Sequence, residues 1–126
     1  MAETNENKAF DEKELEQAEA EAAKDEIVDY VHKFKKPLMY NGVAYEELHF
    51  NFDDLTGADS LEVEKEMQRT GQGVVIAGAF NSEYMIRIAA RACQEPIGAD
   101  AFKVMRLFDY NKIRDKVRSF LLRSEQ

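Results

Sequence analysis

Asn41-Gly42 sits between two runs of alternating apolar residues, and it constrains the chain more than any other dipeptide. A two-residue type I′ turn needs positive φ at both central positions, and Asn-Gly meets that need best. The stretch from Tyr30 to Phe52 is therefore expected to form a β-hairpin. A first strand from about Ile27 to Tyr40 puts Tyr30, Phe34, Leu38 and Tyr40 on one face. Pro37 cannot donate a ladder hydrogen bond, so this strand is expected to be an edge there, or irregular. The second strand, Val43 to Phe52, changes phase: Val43 and Tyr45 share one parity, Leu48, Phe50 and Phe52 the other. One extra residue at Glu46-Glu47 would align all five, so a β-bulge is expected there, with Phe34 facing Phe50. An isolated hairpin is marginal in water, so its aromatic face needs helices to cover it.

The rest of the chain supplies candidates. Thr56-Gly57-Ala58-Asp59 has an N-cap threonine with a carboxylate three residues on, a capping-box variant. It predicts a helix from 57 to about 69, with Leu55, Ala58, Leu61 and Met67 available for burial and Gly71 and Gly73 ending it. Residues 74–80 (VVIAGAF) are apolar but too short for periodicity to decide; an extended or irregular segment is expected. Asn81 suits as N-cap of a helix over about 82–94, whose stripe is Met85, Ile88, Ala89, Ala92 and Cys93. Pro96 and Gly98 stop it. Asp100 is expected to cap a short helix through Leu107. Asp109 is expected to cap a last one over about 110–123, with Tyr110, Ile113, Val117, Phe120 and Leu121 inward. The fold class is α+β: a hairpin packed on three or four short helices.

Charge divides the 126 residues unevenly. Ten acidic side chains and three lysines fall within residues 1–26, so this arm holds −7 of the total −8 and leaves 27–126 nearly neutral. The arm is rich in Ala and Glu, good helix formers, yet Phe10 and Leu15 are almost its only large apolar residues. Without a stripe to bury, it is expected to be a frayed helix or disordered, with one domain over 27–126. The single cysteine, Cys93, excludes an intrachain disulfide. No apolar run approaches the roughly 18 residues of a membrane span, and the acidic start is unlike a signal peptide. A cytoplasmic protein is expected.

Catalytic constellations are thin. Asp53-Asp54 and Glu62, Glu64 and Glu66 do not cluster as ligands, and Glu62 and Glu66 read as a solvated helix stripe. His32 and His49 could approach across the hairpin, but no further metal ligand stands at a suitable spacing. Cys93 falls on an inward stripe and reads as a small apolar residue. Gly71-Gln72-Gly73 lacks the rest of a phosphate-binding motif. No enzyme activity, cofactor or metal is expected. Between residues 103 and 123, Lys103, Arg106, Lys112, Arg114, Lys116, Arg118 and Arg123 outnumber Asp109 and Asp115. That basic face is a solvated surface or a dock for the acidic arm or an acidic partner. Nucleic acid ranks behind both, because the arm would compete with phosphate.

Several segments together resemble one known family. Lys36-Pro37-Leu38, then Tyr40-Asn41-Gly42-Val43-Ala44-Tyr45-Glu46-Glu47-Leu48, is similar to the opening of the phage tail assembly chaperones of Mu-like and other long-tailed phages. Asp54-Leu55-Thr56-Gly57-Ala58-Asp59 resembles that family's L-T-G-x-D helix start. Glu83-Tyr84 through Ala92 resembles its E-Y-x-x-x-x-A-A-x-A helix, and Val117-Arg118-Ser119-Phe120-Leu121 its V-x-x-F-L end. The resemblance spans about residues 33–123. It implies a non-enzymatic protein that binds the aggregation-prone tape measure protein, helps recruit tail tube protein, and allows a homo-oligomer. The partner surface expected from the hairpin's aromatic face is Phe34, Tyr45, Leu48, Phe50 and Phe52. The alternative class is a small acidic regulator that binds and inhibits a host or phage enzyme.

Overall fold

A computed structural model describes residues 15–16 and 29–124. Leu15 and Glu16 are helical; the remainder of the acidic arm lies outside the described residues. The hairpin is formed by β1 (Asp29–Tyr40) and β2 (Val43–Asn51), paired antiparallel. Asn41 has φ 50° and Gly42 φ 78°, the two positive values that a type I′ turn demands. Four helices follow: α1 (Gly57–Arg69), α2 (Ser82–Ala92), the single turn α3 (Asp100–Lys103) and α4 (Leu107–Ser124). The architecture is α+β. Among the described residues no helix is long and apolar enough to cross a membrane.

The strand register corrects the expected bulge. Tyr30 pairs with Phe50, Lys33 with Glu47, and Leu38 with Tyr45, with the register shift between Lys33 and Leu38. The irregularity does face Glu46, but the surplus residues belong to β1. Phe34, Lys35, Lys36 and Pro37 all stand against Glu46 alone. Pro37, unable to donate to a ladder, sits inside this break. Consequently Tyr30, not Phe34, faces Phe50, their rings 6.2 Å apart. Val43, expected inward beside Tyr45, is exposed.

The core lies between the hairpin's inner face and the helices. Leu48, Phe50 and Phe52 are fully buried, and Phe52 stacks on Phe120 of α4 at 5.3 Å. Phe50 meets Phe102 of α3 at 6.4 Å. Val63 and Met67 enter from α1, Met85, Ile88, Ala89 and Ala92 from α2, Ile113 and Val117 from α4. Truncating one such aromatic typically costs about 3–5 kcal/mol. The hairpin therefore owes its stability to the helices laid over it.

Local chemistry sets the helix starts. The capping box is complete, with Thr56 N–H donating to Asp59 Oδ2 at 2.8 Å. Asn81 Oδ1 accepts from Tyr84 N–H at 2.9 Å and caps α2. Three expectations change. On α1, Val63 and Met67 (one turn apart) face the core, while Ala58 and Leu61 are exposed. Asp100 opens α3 behind an Ala99 cap, and that turn ends at Lys103, not Leu107. α4 begins at Leu107, so Asp109 is a first-turn residue inside the helix rather than its cap. Of the apolar stretch 74–80, residues 74–77 are irregular as expected, with Ile76 95% exposed, while Gly78–Phe80 close into a 3-10 turn.

Charged side chains join α1 to α2. Buried Arg87 donates to Glu66 at 3.1 Å and also pairs with Glu83. Arg91 reaches Asp59 at 2.8 Å. The Thr56 amide and then Arg91 hold the Asp59 carboxyl below its ordinary value.

Candidate functional site

The hairpin's aromatic face is not an open surface. Leu48, Phe50 and Phe52 are core residues and cannot meet a partner without the hairpin leaving its helices. The physical reason is the closure of that face by α3 and α4 aromatics. Tyr45 is half-buried against the same core. Phe34 is half-buried too, edge-on to His32 at 4.8 Å, but it also borders an open cleft described below. The β2 edge is closed at His49, whose carbonyl accepts from Gln94 N–H and whose amide donates to Glu95, each at 2.7 Å.

The two histidines do not converge. His32 faces inward opposite Leu48, whereas His49 points to the other face opposite Val31. His32 is buried between two partners: Tyr30 Oη at 2.8 Å from Nδ1 and Asp109 Oδ1 at 2.8 Å from Nε2. Burial, then the nearby Asp109 charge, pushes the Tyr30 phenol up. With both nitrogens engaged and the ring buried, His32 joins hairpin to helix and presents nothing to a ligand.

His49 is bracketed by carboxylates, Glu95 at 2.7 Å from Nδ1 and Glu47 at 2.9 Å from Nε2. The Glu95 hydrogen bond is the main reason its pKa is raised. Partial burial pushes Glu95 upward, but hydrogen bonds from the His49 amide and ring and from Cys93 outweigh it, and the carboxyl sits low. Two carboxylates on one imidazole favour the doubly protonated ring, which has no lone pair for a metal. Among the described residues no group of three His, Cys, Asp or Glu side chains is placed to hold a metal ion. Burial pushes the Cys93 thiol up to about 12, so it is not a thiolate at neutral pH.

What is open is a cleft where the β1 break meets the α3–α4 turn. One lobe, of about 360 Å³, is lined by Lys35, Arg106, Leu107, Phe108 and Asp109. A neighbouring lobe of about 260 Å³ shares Arg106 and Asp109 and extends to Phe34, Met39 and Val104. Four large apolar side chains are exposed along it: Met39 62%, Val104 64%, Leu107 70% and Phe108 56%. Cations frame them. Lys35 Nζ lies 5.6 Å and Lys112 Nζ 5.1 Å from the Phe108 ring centre, within cation–π range. Lys35, Lys36, Arg106 and Lys112 form no ion pair among the described residues, whereas neighbouring Lys103 reaches Glu83 at 3.9 Å. Asp109, the one acid in the lining among the described residues, is turned inward to His32.

Of the expected partner residues, only Phe34 reaches this cleft; Leu107 and Phe108, its most prominent members, were not among them. A signal existed. The α4 stripe through Ile113 and Val117 runs back to Asp109 and Tyr110, leaving Leu107 and Phe108 off the buried face.

Comparison of the chain with protein-family models, with curated proteins and with solved structures yields no match.

Proposed function

We propose that this protein is a tail assembly chaperone that holds a tape measure protein during phage tail assembly and assists tail tube recruitment, binding rather than catalysing. The observation that carries this reading is the cleft lined by exposed apolar side chains, with a frame of cations that form no ion pair among the described residues. A holding protein needs apolar surface that a client can cover, together with enough charge to stay soluble. A long helical client offers an amphipathic face, and a groove with apolar anchors is the usual receiver for such a face. Support for the family comes from the ordered segments from Lys36-Pro37-Leu38 to Val117–Leu121. Within those segments Asn41-Gly42 forms the hairpin turn and Thr56–Asp59 the capping box.

The test is co-expression with overlapping tape measure segments, scored by recovery of a soluble complex. Recovery of one segment with the wild-type chain, and its loss with Leu107→Ser plus Phe108→Ser, supports the assignment. Failure of every segment removes it. Co-purification of an enzyme with inhibition of that enzyme would favour the acidic-regulator alternative.

A further inference from the structure

We propose that residues 1–26 of this same chain are the resting occupant of the cleft, docked in cis until displaced. The inference does not rest on the client reading, because it concerns the isolated chain.

Charge is the first argument. Lys35, Lys36, Arg106 and Lys112 converge around the cleft without carboxylate partners among the described residues. The same chain carries ten acidic side chains against three lysines in its first 26 residues.

Apolar chemistry is the second. The segment's large apolar residues, Phe10 and Leu15, stand among glutamates. The cleft pairs exposed Leu107, Phe108, Val104 and Met39 with lysines in the same intermingled way. An acidic segment with sparse apolar anchors is complementary to that surface on both counts.

Reach is the third. β1 begins at Asp29, and Lys35 lies six residues along the same strand, about 20 Å at the usual rise. A helix over 9–24 would span about 24 Å, so the segment can turn at 25–28 and run back to the cleft. Tethering makes modest affinity sufficient. A short flexible connection gives an effective concentration of order 1 mM, so an intrinsic Kd near ~0.1 mM would keep the cleft about nine-tenths filled. Exposed ion pairs are individually weak and screened by salt, so the dock is released at high ionic strength.

The experiment is carbodiimide cross-linking of the full chain at low salt, with cross-linked peptides identified by mass spectrometry from a mixture of light and isotope-labelled protein. The expected result is intramolecular links from Glu12, Glu14, Glu16, Glu19 or Glu21 to Lys35, Lys36 or Lys112. Their yield should exceed links to exposed Lys65 on α1 at least about fivefold and fall in about 0.5 M NaCl. A second measurement uses a Gln-substituted arm (Glu12, Glu14, Glu16, Glu19 and Glu21 each →Gln): the Leu107 and Phe108 amide resonances should shift while the Val63 and Ile88 amides stay put. Links spread evenly over Lys65 and the cleft lysines, mixed-isotope links between molecules, or unshifted Leu107 and Phe108 amides would each overturn the proposal. Client capture is scored separately in co-expression, so either idea can fail without the other.

Discussion

His32 on β1 and Asp109 on α4, 77 positions apart, meet at 2.8 Å with both side chains buried. It is a buried polar contact that joins the hairpin directly to the last helix. Removing one member strands the other away from water. Asp109→Ala should therefore lower unfolding free energy by about 3 kcal/mol, where the costs of an unsatisfied polar group and of an unpaired buried charge meet. The double change His32→Leu with Asp109→Leu should cost clearly less than the two singles summed, because no polar group is then left alone. Urea denaturation of His32→Leu, Asp109→Leu and the double variant reads this, and additive losses would show that the contact carries no coupling.

The second histidine makes stability depend on pH. The His49 pKa is raised in the folded chain by Glu95 first and Glu47 after it. A raised folded value means that the contribution is fully present below the unfolded histidine pKa of about 6.5 and is lost as pH rises through the folded pKa. The Glu95 carboxyl is already ionised across that range, its own value being depressed. The urea midpoint should thus fall between weakly acidic and weakly alkaline pH, and His49→Gln should flatten the slope. A wild-type midpoint that does not move would contradict the bracket.

These two histidines mark the border of what could be read from the chain. The Asn41-Gly42 turn, the Thr56 capping box and the Asn81 cap each depend on a few adjacent residues, and all three formed where expected. Gly42→Ala should cost roughly 1 kcal/mol for that reason, since alanine resists φ 78°. The β1 break was different. Alternation of parity along β2 placed an extra residue at Glu46-Glu47, but the surplus lies in β1, which leaves β2's own alternation intact and Val43 exposed. Pairing across the hairpin is a non-local property that one strand's pattern does not carry. His32 was unreadable as a core residue because its partner comes from another helix. The cleft lay hidden for a similar reason: it exists only where the β1 break meets the α3–α4 turn.

Cys93 gives a simple check on packing at the end of α2. Its thiol is half-buried, with a pKa pushed up to about 12 by burial, and its backbone pairs with that of Phe50 on β2. Alkylation by iodoacetamide at pH 8 should be at least about tenfold slower in the native chain than in urea, because only the thiolate reacts. Equal rates would mean that the segment after α2 opens readily from β2.

Leu107 and Phe108 offer the sharpest contrast with Phe50, and the contrast separates surface from scaffold. All three are large and apolar, yet Phe50 is fully buried while the other two are mostly exposed. Phe50→Ala should cost about 3–5 kcal/mol, and any loss of partner binding would then follow from unfolding. Leu107→Ser with Phe108→Ser removes little buried surface, so the unfolding free energy should change by only about 0.5 kcal/mol per site. The lysines now over Phe108 would lose a cation–π contact worth about 0.5–1 kcal/mol at an exposed position, which bounds the rest. The double variant should therefore melt close to the wild type while losing whatever the cleft holds. A collapse in its stability comparable to that of Phe50→Ala would mean that Leu107 and Phe108 belong to the core, and the cleft would no longer be a binding surface.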